Sequence, residues 1–385
     1  MADFFLKISP NIAVGSHIIA RLGHIVEKHL DKTEKRWLLV LDPGMRETGI
    51  AEQAEKALAE REIEIIGFDD IPTANTTVLE NVLSLARGAH VRGVLALGGV
   101  RAAAVGRAAA ALYNETGDIF DYIEGAQPLS QPLPFVQVAT TCRDPAMFLD
   151  KTPVVDARNN QAVLMKIQSG VCKAVVMDPN TYMHISSRMA SSMLFQAAAI
   201  AFEGYISTRA NFFSDTILGK ALEILFLSLD PEQRKVSGIE PEMLAAQGGC
   251  MASLGASLSS PGMVTALALA CNARYRAPLS LVAAILLPHL AEEAAHSSVE
   301  KAVTLAKILG VDTTGKTDGE TAALAAEEIR RRLDSCGLPL RLKDAELTIE
   351  QLAVAAEDAG RMDIMNYTPR SMSSDDLFDL MKRAY

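Results

Sequence analysis

Five short aliphatic runs in the first half of the chain leave little choice of architecture. Trp37-Leu38-Leu39-Val40-Leu41 ends at the turn Asp42-Pro43-Gly44, and Ile63-Glu64-Ile65-Ile66-Gly67-Phe68 follows. Val94-Leu95-Ala96-Leu97 is stopped by Gly98-Gly99, and Phe135-Val136-Gln137-Val138 and Ala174-Val175-Val176-Met177 complete the set. Most of these runs do not alternate apolar with polar, so each must be covered on both faces. Helical periodicity separates them over Ile50–Glu60, Thr77–Ala86 and Ala102–Tyr113. Apolar strands joined through helices predict a parallel sheet with helices on both sides.

From about Ser186 the period becomes helical almost throughout. Helices are predicted over Met189–Tyr205, Asp215–Leu229, Met263–Cys271, Leu279–Ala294, Val299–Leu309 and Glu320–Leu333. Ile349–Ala359 and Ser374–Arg383 continue the pattern, the last preceded by the polar cap candidates Ser373 to Asp376. The expected organisation is an α/β dinucleotide-binding-like domain with a parallel sheet over residues 1–185, then an all-α domain over residues 186–385. Residues 244–273 carry no charge, a length that could span a bilayer. Gln247, Gly248, Gly249, Gly255, Pro261, Gly262 and four serines interrupt that stretch, which reads instead as buried helices.

Charge and cysteine content narrow the function classes. The net charge is −10, from 37 basic and 47 acidic residues, which speaks against general nucleic-acid binding. Cys142, Cys172, Cys250, Cys271 and Cys336 stand singly, without the spacing of a zinc or redox pair. Met1 to Lys7 has no basic stretch leading into an apolar one, so no signal peptide is expected. The expectation is a reduced cytoplasmic protein that is neither membrane-bound nor nucleic-acid-binding.

Gly98-Gly99-Val100-Arg101 joins a buried strand to a helix, a place where backbone amides can face an anion. Two glycines alone fit an unliganded turn better. Arg101 and Arg107 add guanidinium groups suited to phosphates. Asp42, ending the first run, suits a ribose 2′-hydroxyl and so NAD over NADP, or is simply a turn-starting aspartate.

In their order along the chain, several segments resemble one family. These are LDPGM, NTTVLENV, GVLALGGV, FDYIEG, VATTCRDPAMF, VVMDP, FEGYIS, LLPHL and the terminal YTPRSMSSDDLFDLMKRAY. Together they resemble the iron-containing (group III) alcohol dehydrogenases over nearly the whole chain. The resemblance implies the dehydroquinate synthase-like architecture of that family and NAD(P)-linked interconversion of an alcohol and an aldehyde. It also implies cofactor contacts at Asp42, Gly98, Gly99, Val100, Arg101, Thr140 and Thr141.

The departures from the family pattern are concentrated in its chemistry. The family holds a divalent metal with one Asp and three His, and those positions carry Gln196, Ile200, Thr265 and Leu279 here. Ile200 and Leu279 have no donor atom, and Gln196 and Thr265 offer only neutral oxygens, so no metal is expected. His289 and His296 are seven apart in a helical segment and read as ordinary helix-face residues. The third Gly and the Ser of the family's phosphate loop are Val100 and Arg101, and its Asp and Lys are Ala104 and Arg107. Cys142-Arg143-Asp144-Pro145-Ala146 replaces a flexible segment after the Thr140-Thr141 pair. Arg143, Arg274 and Tyr275 are further candidates for contact with substrate.

Two readings follow. One is an alcohol dehydrogenase-like oxidoreductase that keeps weakened NAD or NADP binding, acts on a small alcohol or aldehyde, and has lost the classical metal chemistry. The other is a non-catalytic relative serving as a binding or assembly partner, as a homo-oligomer or paired with an active paralogue. Catalytic residues are left unassigned in both.

Overall fold

The computed structural model describes residues 9–30 and 35–385, so the amino-terminal reading over Met1 to Lys7 lies outside the described residues. The chain divides into two compact units, Met1–His184 and Ile185–Tyr385.

In chain order the first unit contains β1 (Asn11–Val14), α1 (Leu22–Glu27), β2 (Arg36–Leu41), α2 (Gly44–Glu47), α3 (Ile50–Ala59), β3 (Glu64–Phe68) and α4 (Thr76–Gly88). Then come β4 (Gly93–Gly98), α5 (Val100–Leu112), α6 (Ile119–Ile123), β5 (Phe135–Ala139), β6 (Lys151–Asp156), β7 (Gln161–Lys166) and β8 (Cys172–Met177). Six strands form a parallel sheet in the order β1-β8-β5-β4-β2-β3. All five aliphatic runs are strands of it. β4 and β5 are buried along their whole length, as two covered faces require. On one face Trp37, Leu39, Leu41, Leu95, Leu97, Val136 and Val138 pack on Ile19, Leu22, Val26, Ala54 and Leu58.

Three strands escape a reading by pattern. β1 is four residues long and half exposed, and is held by in-register pairing of Asn11 to Val14 with Ala174 to Met177. Its local composition carries no strand signal; the ladder to β8 supplies it. β6 and β7 form a separate antiparallel hairpin that turns through Asn160 at positive φ.

The second unit is helical: α7 (Ser187–Ile206), α8 (Phe212–Leu229), α9 (Pro231–Ser237), α10 (Pro241–Ser257), α11 (Met263–Tyr275) and α12 (Leu279–Ser297). α13 (Val299–Ile308), α14 (Asp318–Ser335), α15 (Ile349–Gly360) and α16 (Ser374–Arg383) complete it. From Ser192 to Gly204 every residue of α7 is buried, so this helix is central to its unit and is packed on by α8, α10, α11 and α12. α8 and α10 approach closely because Gly255 has no side chain; a Cβ there would lie 2.5 Å from Leu218.

The uncharged stretch is broken into α10 and α11 by the segment Ser259 to Gly262. Among the described residues no helix is long and apolar enough to cross a membrane. α16 begins with the cap that its serines suggested: the Ser373 side chain accepts from the Asp376 N–H at 3.1 Å, and Asp376 bonds back to the Ser373 N–H.

Candidate functional site

The strand order places one end of the sheet under a chemical constraint. From β2 the chain moves outward to β3, then returns past β2 to β4, so the winding direction reverses between β2 and β4. In an open α/β sheet such a reversal leaves a crevice at the carboxyl ends of the two strands, where the connecting loops diverge. The residues at those ends are Asp42 after β2, and Gly98 and Gly99 at and after β4. Thr140 and Thr141, after β5, join them: the Thr140 N–H donates to the Gly98 carbonyl at 3.1 Å, and Thr141 lies against Gly99.

Gly98 is required by geometry. Its φ is +153°, and a Cβ would stand 2.5 Å from Asp42 Oδ2 and 2.8 Å from Asp42 Cβ. The close approach lets the Gly99 N–H donate to Asp42 Oδ2 at 2.6 Å. Asp42 therefore caps the entry to α5 from across the crevice, since Gly99 has no side chain for the task. Its other oxygen, Oδ1, is buried and has no hydrogen-bond partner. An orphaned carboxylate oxygen at the mouth of a crevice suits a donor brought by a ligand, such as a sugar hydroxyl.

The arginines separate into two roles. Arg101 is exposed, donates Nη1 to the Pro72 carbonyl at 3.0 Å and holds Nη2 at 3.8 Å from Asp42 Oδ1. Arg107, considered above as a phosphate partner, is 1% exposed and turned inward. Its Nη2 donates to Gln137 Oε1 at 2.9 Å and to Asp144 Oδ2 at 2.8 Å. Gln137 Nε2 also donates to Asp144 Oδ2, and Asp144 Oδ1 accepts the Ala146 N–H. This buried cluster pins the segment from Cys142 to Ala146 against α5 and β5. Gln137 and Asp144 carry no sequence motif that would have singled them out. Val100 is buried, so its branched side chain packs into protein and does not stand exposed over the turn. Burial pushes the Arg143 guanidinium below its usual range, while Cys142, Asp42 and Asp144 act to raise it.

In the helical unit, Gln196 and Ile200 are buried on α7, Thr265 is buried in the first turn of α11, and Leu279 is half-buried at the start of α12. Thr265 is not an open donor: its hydroxyl donates to Glu203 Oε2 at 2.6 Å, and its N–H donates to Glu203 Oε1 at 3.1 Å. The Val264 N–H also donates to Glu203 Oε1. Glu203 thus caps α11 from the neighbouring helix, because the residue at its start is Gly262. Burial pushes the Glu203 carboxyl above the usual carboxylate range, opposed by the hydrogen bonds from Thr265, Gly262 and Val264. The sequence hides this role, since a glutamate inside an apolar helix names no partner.

The other candidates are engaged structurally. Arg274 donates Nε to Asp358 Oδ2 at 2.6 Å. Tyr275 is half-buried, and burial raises its phenol. His289 is buried rather than surface-facing, with Nδ1 3.1 Å from Glu292 Oε2, whereas His296 is exposed. Among the described residues no group of three or more His, Cys, Asp or Glu side chains is placed to hold a metal ion.

Comparison with known proteins agrees with this arrangement of elements. The sequence matches the description "Iron-containing alcohol dehydrogenase" over residues 9–179. It matches "Fe-containing alcohol dehydrogenase family, C-terminal" over residues 189–385. The 1,3-propanediol dehydrogenase of Citrobacter freundii is 23% identical over 355 residues, covering 91% of this chain and 92% of that protein. A crystal structure of a 1,3-propanediol oxidoreductase superposes with a TM-score of 0.90 at 22% identity, covering 100% of both chains. A sulfoacetaldehyde reductase from Bifidobacterium kashiwanohense, solved in complex with NAD+, has a TM-score of 0.82 at 18% identity, covering 100% of this chain and 99% of that one. The two family matches occupy most of the chain and meet where its two units divide. The chain belongs to the iron-containing alcohol dehydrogenase family.

Proposed function

We propose that this protein is an alcohol dehydrogenase-like oxidoreductase that binds a nicotinamide dinucleotide at the carboxyl ends of β2 and β4 and works without a metal ion. The observation that carries the reading is the pair of contacts around Asp42: one carboxylate oxygen holds the Gly99 N–H, and the other is buried without a partner. A ribose hydroxyl donating to that second oxygen would satisfy it. Gly98 provides the close backbone approach, and the first amides of α5, which have no intrahelical partners, suit the pyrophosphate. When bound, the dinucleotide supplies the hydride acceptor for an alcohol or the hydride donor for an aldehyde. The relative solved with NAD+ supports the choice of cofactor.

The residues at the family's metal positions do not fit a divalent metal. Ile200 and Leu279 offer no donor, Gln196 offers an amide, and the Thr265 hydroxyl is engaged by Glu203. A site of that kind needs three strong donors, so no step is assigned to a metal. The same facts favour a second reading, in which the dinucleotide-binding unit is kept and catalysis is lost, with the protein serving as a partner in assembly with itself or an active relative.

Calorimetric titration with NADH and NAD+, beside elemental analysis and an assay over small alcohols and aldehydes, separates the readings. Dinucleotide binding with turnover and well below one metal per chain is the expected result. Binding without turnover selects the second reading. Near one iron or zinc per chain overturns the metal-free assignment, and no dinucleotide binding overturns the oxidoreductase reading and moves the weight to the non-catalytic one.

A further inference from the structure

We propose that Arg107, Gln137 and Asp144 are positioning residues for the dinucleotide, a buried latch that holds the loop after β5 so that Thr141 stays against the glycine turn. The inference rests on the dinucleotide reading and adds to it three residues that act from inside the protein.

The latch is a closed triangle. Arg107, two turns into α5, donates Nη2 to Gln137 Oε1 at 2.9 Å and to Asp144 Oδ2 at 2.8 Å. Gln137 Nε2 donates to the same Asp144 oxygen at 2.9 Å. The other carboxylate oxygen, Oδ1, accepts the Ala146 N–H at 2.9 Å, so Asp144 ties down its own loop as well. Stability does not account for such a cluster. Gln137 sits between β4 and β8 in a buried strand whose other residues are apolar, where an aliphatic side chain needs no partner. Arg107 keeps Nε and Nη1 buried without a hydrogen-bond partner. Apolar residues of similar volume often equal or exceed the stability of a buried ion pair. What the polar cluster supplies in addition is a fixed geometry, because hydrogen bonds are directional.

The geometry it fixes is that of the crevice wall. Only Cys142 and Arg143 separate Thr141 from Asp144, so a displacement of one reaches the other. The Thr140 N–H bonds to the Gly98 carbonyl at 3.1 Å. Thr141 Cγ2 and Oγ1 lie 3.6 and 3.7 Å from the point that a Cβ on Gly99 would occupy. The loop is therefore held at one end by the glycine turn and at the other by α5, the helix which that turn begins. The charges of Asp42 and Asp144 both act on the Arg143 guanidinium, which couples the latch to the carboxylate at the crevice mouth. Without the Asp144 contacts Thr141 is free to shift relative to the first amides of α5. A shift of about 1 Å is enough to misplace a group that binds or orients a ligand.

Calorimetric titration of the whole protein with NADH tests the latch. Asp144→Asn keeps the side-chain volume but sets an amide NH2 against either the Ala146 N–H or the Arg107 and Gln137 donors, so one end of the latch opens. Arg107→Met with Asp144→Ala removes the ion pair altogether. Gly93→Ala strains the opposite end of β4 and serves as a destabilised control. Thermal melts confirm that each variant is folded at the titration temperature. The latch variants are expected to bind NADH about tenfold or more weakly than the wild type, with faster hydrogen exchange at the amides from Thr140 to Ala146. The control is expected to bind within about threefold of the wild type. Latch variants that bind as the wild type does, or that weaken no more than Gly93→Ala, overturn this inference and leave the dinucleotide reading standing. No NADH binding by the wild type overturns both.

Discussion

At the scale of single residues, several side chains do work that their sequence neighbourhood does not announce. Glu203 is one: it receives the Val264 and Thr265 N–H groups and the Thr265 hydroxyl inside the helical unit. Truncating it leaves three buried donors without an acceptor, at about 1–3 kcal/mol for such a loss. Glu203→Ala should therefore lower stability in urea by about 2–3 kcal/mol. A change below about 0.5 kcal/mol would show that water takes over the cap. Asp144 is another. It is 1% exposed and pairs with the equally buried Arg107. Asp144→Ala should destabilise by about 3–5 kcal/mol, because a buried guanidinium loses its carboxylate. The double variant Arg107→Met with Asp144→Ala should regain part of that loss, since the Arg107 charge goes with its carboxylate while Arg143 still loses the attraction of Asp144. Equal stability of the single and double variants would argue against this account. In the sequence Glu203 stands only within the segment FEGYIS, and Asp144 only within the segment that follows Thr140-Thr141. Burial and pairing are properties of the folded chain, and a sequence does not list which carboxylate will meet which cation.

At the scale of elements, legibility follows from how local the cause is. The aliphatic runs of β2, β4 and β8 are apolar on both faces, and no environment other than a doubly covered sheet suits them. The caps of α16 and α14 are likewise local, with Ser373 and Thr317 each bonding three residues ahead. β1 and the β6–β7 hairpin depend on partners, and their residues do not betray it. One strand contact gives a sharp test. Gly93 of β4 pairs with Trp37 of β2, and a Cβ on it would meet the Trp37 ring at 2.3 Å. Trp37 is fully buried and cannot retreat. Gly93→Ala should then lose about 1–3 kcal/mol in chemical denaturation, whereas Gly88→Ala, where a Cβ meets nothing, should change little. Comparable losses in the two variants would mean that the indole shifts freely.

At the scale of the whole molecule, the acid range of stability has an identifiable contributor. Burial acts to raise the Glu292 carboxyl, but its hydrogen bonds to His289 and Arg330 outweigh that and hold it at about 2. A carboxyl depressed on folding stabilises the native state above its unfolded value, near 4.3, and loses that contribution as pH falls toward about 2. Melting temperature should therefore fall over this window, and Glu292→Gln should flatten the fall while lowering stability at neutral pH. An identical slope in the variant would assign the acid sensitivity to other carboxylates.

What the amino acids determined alone is the class of fold: apolar strand runs, helical periodicity and the ordered family segments act through local chemistry that any compact chain of this sequence must satisfy. They also fix that Ile200 and Leu279, the residues proposed above for two of the metal positions, lack a donor atom in every conformation. Only the tertiary structure decided the rest. It set Asp42 on the Gly99 amide with one oxygen orphaned, turned Arg107 inward and left Arg101 at the rim, and gave the Thr265 hydroxyl to Glu203. Each of these joins residues far apart in the chain, and in a hydrogen bond or ion pair a few tenths of an ångström decide the partner.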